Sequence, residues 1–466
     1  MKIKNDKSRR DFLKSSSLAA AGFFIVPRHV LGRGFVAPSD KLNIAGIGAG
    51  GKGESDLREF SKSPNANIAF LCDVDDRQIK TSLGRFPNAK RYYDFREMLD
   101  KEHQSIDAVS VSTPDNCHAV AAVAAMQLGK HVYVQKPLTH DIYEARLLTE
   151  YAKRYKVVTQ MGNQGSSGDG VRTMQEWYRA GIIGDATEIK VWTNRPVWPQ
   201  GTGTPKSTDP VPPELKWDLW LGPAKEEPYH KEYVPFSWRG FWAFGTGALG
   251  DMGCHLIDPA FKTVGLGYSS EVECSQVSIF EKMWTPDYFP ESCPAASSVI
   301  LNFPGKDGKP NVKLHWMDGG IIPERPEELG PDEQFGGNDG GVLIIGTKGK
   351  IMCGTYGSNP QLLPTSKTKE VNIPQTLARV PEGHYVQWVN ACLAGYGRNE
   401  VSSPFEYAGP LTETILMGNL ALRSWNIKKD NRFPGRKKLL WDAVNMKITN
   451  FDEANQFVKR EYRAGW

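Results

Sequence analysis

Lys136 precedes Pro137 at the end of an apolar run. Asp251 and His255 stand four residues apart in Gly250-Asp-Met-Gly-Cys-His255. A lysine at the end of a strand could steady a developing alkoxide, and an imidazole can take a hydroxyl proton. An aspartate one helical turn away can orient either group. Asp258 falls on the same helix face, seven residues from Asp251. Two readings of Asp258 are open: a third polar member of the site, or a helix N-cap with Pro259 at the first helical position. Metal binding is the weaker reading of the three groups, because no further His/Asp cluster completes a ligand set.

Such groups need an electron acceptor, and the chain carries a pattern for one. The apolar run from Leu42 opens into Gly48-Ala-Gly50-Gly51-Lys-Gly53, and Asp73 ends the next apolar run. Glycines allow a tight turn and close approach to a pyrophosphate, and the helix that follows offers free N–H groups. Asp73 can accept from ribose hydroxyls and would repel a 2′-phosphate, so NAD is expected rather than NADP. Ser112-Thr-Pro-Asp-Asn-Cys-His118 follows a later strand at the end where open sheets bind ligands. Ser112, Thr113, Pro114, Asn116 and His118 are therefore expected at the cofactor, with Asp115 or Asn116 also suited to cap the alanine-rich helix. Gln135 is expected to hydrogen-bond the nicotinamide, and Asn163 to serve cofactor and substrate.

Six of the thirteen tryptophans lie between 192 and 242. Core packing under a long loop explains most of them. Trp238 and Arg239, just before the Asp251/His255 segment, are the expected substrate contacts: an indole stacks on a sugar ring, and a guanidinium binds hydroxyls.

These residues need a frame. From about 40 to 160, short strand-like runs alternate with helical stretches, which predicts a parallel sheet with helices on both faces. After Gly165 longer strand-like segments cluster (186–193, 272–280, 297–303, 311–317, 342–345), with helical stretches near 170–180, 249–264, 383–394 and 406–425. The expected fold is an α/β Rossmann N-terminal domain (40–165) followed by an α+β domain (166–466) with a large, mostly antiparallel open sheet. Gly336-Gly-Asn-Asp-Gly-Gly341 reads as a loop, since no helix follows it.

Net charge is +4 over 466 residues, but residues 1–33 hold eight Lys/Arg against two acids. That is +6, which leaves −2 for the rest, so the balance gives no reason to expect a nucleic-acid partner. Residues 1–35 read as a leader: Ser8-Arg-Arg-Asp-Phe-Leu-Lys14 and the apolar Leu18–Val26 run resemble a twin-arginine export signal. The expected location is periplasmic or exported, with an uncleaved leader as an anchor in one version, and the export machinery is a partner. Seven scattered cysteines, none in a C-x-x-C pair, argue against zinc or a disulfide framework.

Together, Gly48-x-Gly50-x-x-Gly53, Asp73, Ser112-Thr113-Pro114, Lys136-Pro137 and Asp251-x-x-x-His255 resemble the Gfo/Idh/MocA oxidoreductases. The Trp-rich insertion and the ending Ala454…Tyr462-Arg-Ala-Gly-Trp466 are similar to exported bacterial members. The resemblance implies a catalytic triad of Lys136, Asp251 and His255, and a homodimer or homotetramer built on the open sheet. The family usually carries Glu before the lysine, where this chain has Gln135. The expected activity is NAD-dependent oxidation or reduction of a secondary hydroxyl on a sugar, cyclitol or glycoside, with tightly held cofactor. One alternative is a redox-neutral glycosidase working by transient oxidation and elimination. Another is a non-catalytic sugar or nucleotide sensor, against which the intact Lys136, Asp251 and His255 argue.

Overall fold

The computed structural model describes residues 41–466, and the leader assigned to 1–35 lies outside them. The first sheet holds β1 (Leu42–Ile47), β2 (Ala66–Cys72), β3 (Lys90–Tyr92), β4 (Ala108–Val111), β5 (His131–Val134) and β6 (Thr159–Met161). Its order is β3-β2-β1-β4-β5-β6, and every pairing is parallel. Helices α1 (Lys52–Phe60), α2 (Asp76–Arg85), α3 (Phe95–Glu102), α4 (His118–Gln127) and α5 (Ile142–Tyr155) make the crossovers. Ala-Val-Ser-Val in β4 is buried at every position, as a central parallel strand covered on both faces requires. In α4, Ala119, Ala121, Ala122 and Ala125 are buried, and their small side chains let the helix lie close to β4, β5 and α5. Asp141 and Glu144 form a reciprocal capping box at the start of α5, a device worth about 1 kcal/mol.

The second part begins with α6 (Asp169–Arg179), β7 (Ala186–Thr193), α7 (Trp217–Leu221) and α8 (Gly247–Val264). It continues through β8 (Glu271–Gln276), β9 (Ser297–Phe303), β10 (Val312–Met317), β11 (Gly340–Gly346), β12 (Lys350–Gly354) and β13 (Gln361–Leu363). Helices α9 (Gly383–Ala394) and α10 (Phe405–Trp425) and strands β14 (Leu439–Asp442) and β15 (Lys447–Ile448) complete it. The nine-stranded sheet runs β13-β12-β11-β7-β10-β9-β8-β14-β15, and only β7 and β10 pair in parallel. This is the expected Rossmann sheet joined to a mostly antiparallel one. Helix α8 is buried nearly all round because it is enclosed by β7, β11, α6 and α10, and it carries one polar stripe: Asp251, His255, Asp258 and Lys262.

Three local expectations change. Residues 277–280 leave the sheet, and β8 ends at Gln276. Asp258 is not a cap: α8 runs unbroken from 247 to 264 with Pro259 inside it. Neither Asp115 nor Asn116 caps α4; they form a short 3₁₀ turn, and Cys117 stands at the N-cap without a side-chain bond.

The two sheets share helices. Helix α9 returns to pack on α1 and β1, where Trp388 meets Phe60 with ring centroids 5.0 Å apart. Helix α10 packs along α5 and touches β6. His384 at the start of α9 is bonded to both parts: its Nε2 lies 2.8 Å from the Met161 carbonyl and its Nδ1 2.6 Å from Ser167 Oγ. Burial holds this imidazole neutral, with a pKa lowered to about 3. A depressed histidine contributes stability above its unfolded pKa, and loses it as the pH falls below about 6.5 toward 3. His384→Phe should lower the unfolding free energy at pH 8 by about 1–3 kcal/mol. Denaturant titrations between pH 7.5 and 5 should show a shallower decline than wild type. The residual slope would come from the other buried histidines: His131, held at about 4 by burial, and His140 and His255, both held well below the usual histidine range by burial.

Candidate active site

Beyond Ile47 the chain turns at Gly48 and Gly51, and Gly51 adopts the left-handed region (φ 52°) with open space where a Cβ would stand. A Cβ on Gly53 would run into the Gly48 carbonyl, so the third glycine keeps α1 close to the turn. No side chain caps α1; Gly53 N–H donates to the Gly50 carbonyl at 2.9 Å, and the Gly51 and Lys52 N–H groups are left for an anion. Asp73 braces the turn: its Oδ2 accepts from Gly50 N–H at 2.8 Å and its Oδ1 from Asp75 N–H at 3.0 Å. Burial raises its pKa, and those N–H bonds oppose the shift.

These residues open on a cleft of about 660 Å³ that continues past Ser112, Thr113 and Pro114 to Gln135, Lys136 and Asp251. At that end Lys136 Nζ donates to Asp251 Oδ1 at 2.6 Å and to the Asp251 carbonyl at 2.9 Å. The pair joins the end of β5 to the first turns of α8. Burial alone would raise the Asp251 pKa, but Lys136 and Arg239 outweigh it and hold the carboxylate ionised. Arg239 Nε lies 3.6 Å from the same oxygen, and its guanidinium lies 4.2 Å from the ring centroids of both Phe236 and Trp238. Trp238 and Arg239 thus line the cleft.

His255 lies one turn along α8, 5% exposed, with its ring edge-on to Tyr356 at 4.6 Å between centroids. Asp251, on the preceding turn of the same helix, lines the cleft. Burial, reinforced by Lys136, pushes the His255 pKa well below the usual histidine range, so the imidazole is a neutral proton acceptor. Its Nδ1 is buried without a partner among the described residues.

Other expected contacts are not brought to the cleft. Asn116 Nδ2 donates to the Leu221 carbonyl at 2.8 Å, and His118 bridges the Thr113 and Pro137 carbonyls at 2.9 and 2.8 Å. They support the loop from behind. Asn163 is fully buried, with its side-chain amide turned to Asp258 in the interior rather than to the cleft. Asp258 accepts from the Tyr407 hydroxyl at 2.6 Å and faces the interior. Of the tryptophans in 192–242, Trp220 and Trp238 reach the cleft, while Trp192 packs against Phe335 beneath the second sheet.

Asp56 is the important residue that sequence reasoning missed. It is fully buried and accepts from Lys52 Nζ, from Ser112 Oγ at 2.9 Å and from Gln135 Nε2 at 2.8 Å. One carboxylate thereby ties α1, the loop after β4 and the residue beside Lys136. Gln135 Oε1 in turn accepts from Lys136 N–H at 3.3 Å. The only available signal was the Lys52/Asp56 spacing of four, which reads as a surface pair.

Residues 42–163 match the model of the oxidoreductase family with an NAD-binding Rossmann fold, and residues 177–277 match that of its C-terminal alpha/beta domain. Both matched stretches are those of the Gfo/Idh/MocA family. Among curated proteins it is similar to a Glycosyl hydrolase family 109 protein of Solibacter usitatus, 32% identical over 197 residues, or 39% of this chain and 44% of that one. A Glycosyl hydrolase family 109 protein of Shewanella pealeana is 27% identical over 203 residues, covering 38% and 44%. The chain thus spans less than half the length of these relatives. Among solved structures it is similar to levoglucosan dehydrogenase in complex with NADH, with TM-score 0.55, 16% identity and coverage of 82% and 98%. The WlbA dehydrogenase of Bordetella pertussis, in complex with NADH and UDP-GlcNAcA, gives TM-score 0.55, 15% identity and coverage of 81% and 95%. These structures share the fold.

The Asp56 contacts account for the amide at 135. A glutamate there would set two buried carboxylates within hydrogen-bond distance. Gln135→Glu should cost about 2–4 kcal/mol of stability and weaken NAD binding. Asp56→Asn with Gln135→Glu restores a donor–acceptor pair and should recover more than half of that loss. A double-mutant cycle read by denaturant unfolding and NADH titration measures it.

Proposed function

We propose that this protein is an NAD-dependent oxidoreductase acting on a secondary hydroxyl of a sugar, cyclitol or glycoside, with its cofactor tightly held. One observation carries the reading: a single cleft has the glycine turn and Asp73 at one end and the Lys136–Asp251 pair at the other. The open side of Gly51, the uncapped N-terminus of α1 and the Asp73 carboxylate fit a dinucleotide. Bound NAD supplies the hydride acceptor.

The chain's own groups handle the proton and the orientation. Lys136 steadies the substrate oxygen as it becomes an alkoxide. Asp251 aims the ammonium and keeps its charge in place. His255 is neutral and takes the hydroxyl proton as the carbinol carbon becomes a carbonyl carbon. Arg239, seated on the Trp238 and Phe236 rings, offers a hydrogen-bonding fork to a ring with hydroxyls. The reading of residues 8–26 as a twin-arginine signal supports tight retention, since an exported enzyme would carry its nucleotide with it.

A second reading draws on the curated relatives that are named as glycosyl hydrolases. The same oxidation, followed by removal of the acidified neighbouring C–H, expulsion of the leaving group, addition of water and return of the hydride, gives hydrolysis without net redox. Cleavage in deuterated water would label the product carbon in this case, and no NADH would accumulate.

Lys136→Ala and His255→Ala should each lower kcat by about 10²–10⁴-fold, while NAD remains detectable by mass spectrometry of the purified protein. Unchanged turnover in both variants would remove the assignment. Because the His255 pKa is depressed, the acid limb of the kcat–pH profile should fall below pH 6.5.

A further inference from the structure

We propose that residues 459–466 form a clasp over the adenine end of the bound dinucleotide, with the Trp466 indole as its base-stacking face. The inference rests on the tight-cofactor reading above and deepens it.

Three distant segments meet beside Asp73. The first follows β3: Asp73 N–H donates to the Tyr92 carbonyl at 3.1 Å, which sets Tyr93 and Phe95 next to the carboxylate. The second is the start of α7. Lys216 N–H donates to the Val74 carbonyl at 2.9 Å, and Asp76 N–H to the Glu214 carbonyl at 3.1 Å, which draws Trp220 in. The third is the tail. Its Trp466 ring lies 6.1 Å from that of Phe95, and the Arg96 guanidinium stands 4.0 Å over the indole. Arg96 Nη1 also donates to the Gly465 carbonyl at 3.1 Å. Tyr93, Phe95, Trp220 and Trp466 all line the cleft.

Asp73 marks where ribose hydroxyls belong. The glycine turn takes the pyrophosphate on one side of that ribose, so the base must lie on the other. There the wall is aromatic, which suits a flat heterocycle. The tail is firmly held. Arg460 donates to Glu144 Oε1 at 2.7 Å and to the Asn116 carbonyl at 2.6 Å, and the Tyr462 hydroxyl donates to Glu144 at 2.6 Å. Arg463 pairs with Asp218 of α7. The nucleotide's exit past Trp466 therefore requires the tail to lift from α7 and α3. The clasp sets how long NAD stays.

The test measures NADH release from the full-length protein, using excess NAD as competitor and nicotinamide fluorescence as the readout. Trp466→Ala should speed release about 10–100-fold, the loss expected for one base stack, and Trp466→Phe should restore most of the residence time. In wild type, NADH should slow backbone hydrogen exchange in 459–466, a readout that needs no variant. Wild-type protein that binds NADH, with unchanged release in Trp466→Ala or unchanged exchange in the tail, would overturn the clasp and leave the NAD reading standing. Wild-type protein with no NADH binding at all would overturn both.

Discussion

The contact between Lys136 and Asp251 is the constraint on which the arrangement turns. It joins the last residue before Pro137 on the first sheet to the most enclosed helix of the second part. Helix α8 is enclosed nearly all round, so an ionised carboxylate on it needs a cation. Lys136 supplies one at 2.6 Å, with Arg239 near. The requirement is mutual, because the ammonium also takes the Asp251 carbonyl. Neither part of the molecule can shift at the cleft without opening this partly buried ion pair. The charges proposed to serve the chemistry are thus among those that hold the two parts together at the cleft.

Asp56 does similar work on the other wall. Its three donors come from α1, from the loop after β4 and from the end of β5. The glycine turn and the lysine are set relative to one another through one side chain. That explains why a neutral amide beside the lysine is compatible with the site.

Much of this was legible in residue order, and the rest was hidden for physical reasons. Alternating apolar runs give β1, β2, β4 and β5 because central parallel strands are buried on both faces. Helix α2 and the edge strand β3 carry a weaker signal: α2 buries only Ile79 and Ser82, and β3 reads Lys-Arg-Tyr. The glycine turn, Asp73 and the Lys136/Asp251 pair were visible as types at fixed spacing. Asn116, His118 and Asn163 have suitable types, but their hydrogen bonds or depth in the interior set them behind the cleft. Asp56 was missed because its burial depends on Ser112 and Gln135, 56 and 79 residues away.

The return of α9 to the first sheet bears on how the chain can fold. Phe60 and Tyr133 are fully buried, and Trp388 covers them. A growing chain that has completed the six parallel strands still leaves that aromatic surface open until more than two hundred further residues have been made. Closure is therefore a late, long-range event, and such contacts slow folding and prolong the exposure of sticky surface. The stretch that resembles a self-sufficient nucleotide-binding unit is in this respect unfinished, and a fragment cut near residue 165 would aggregate rather than stand alone.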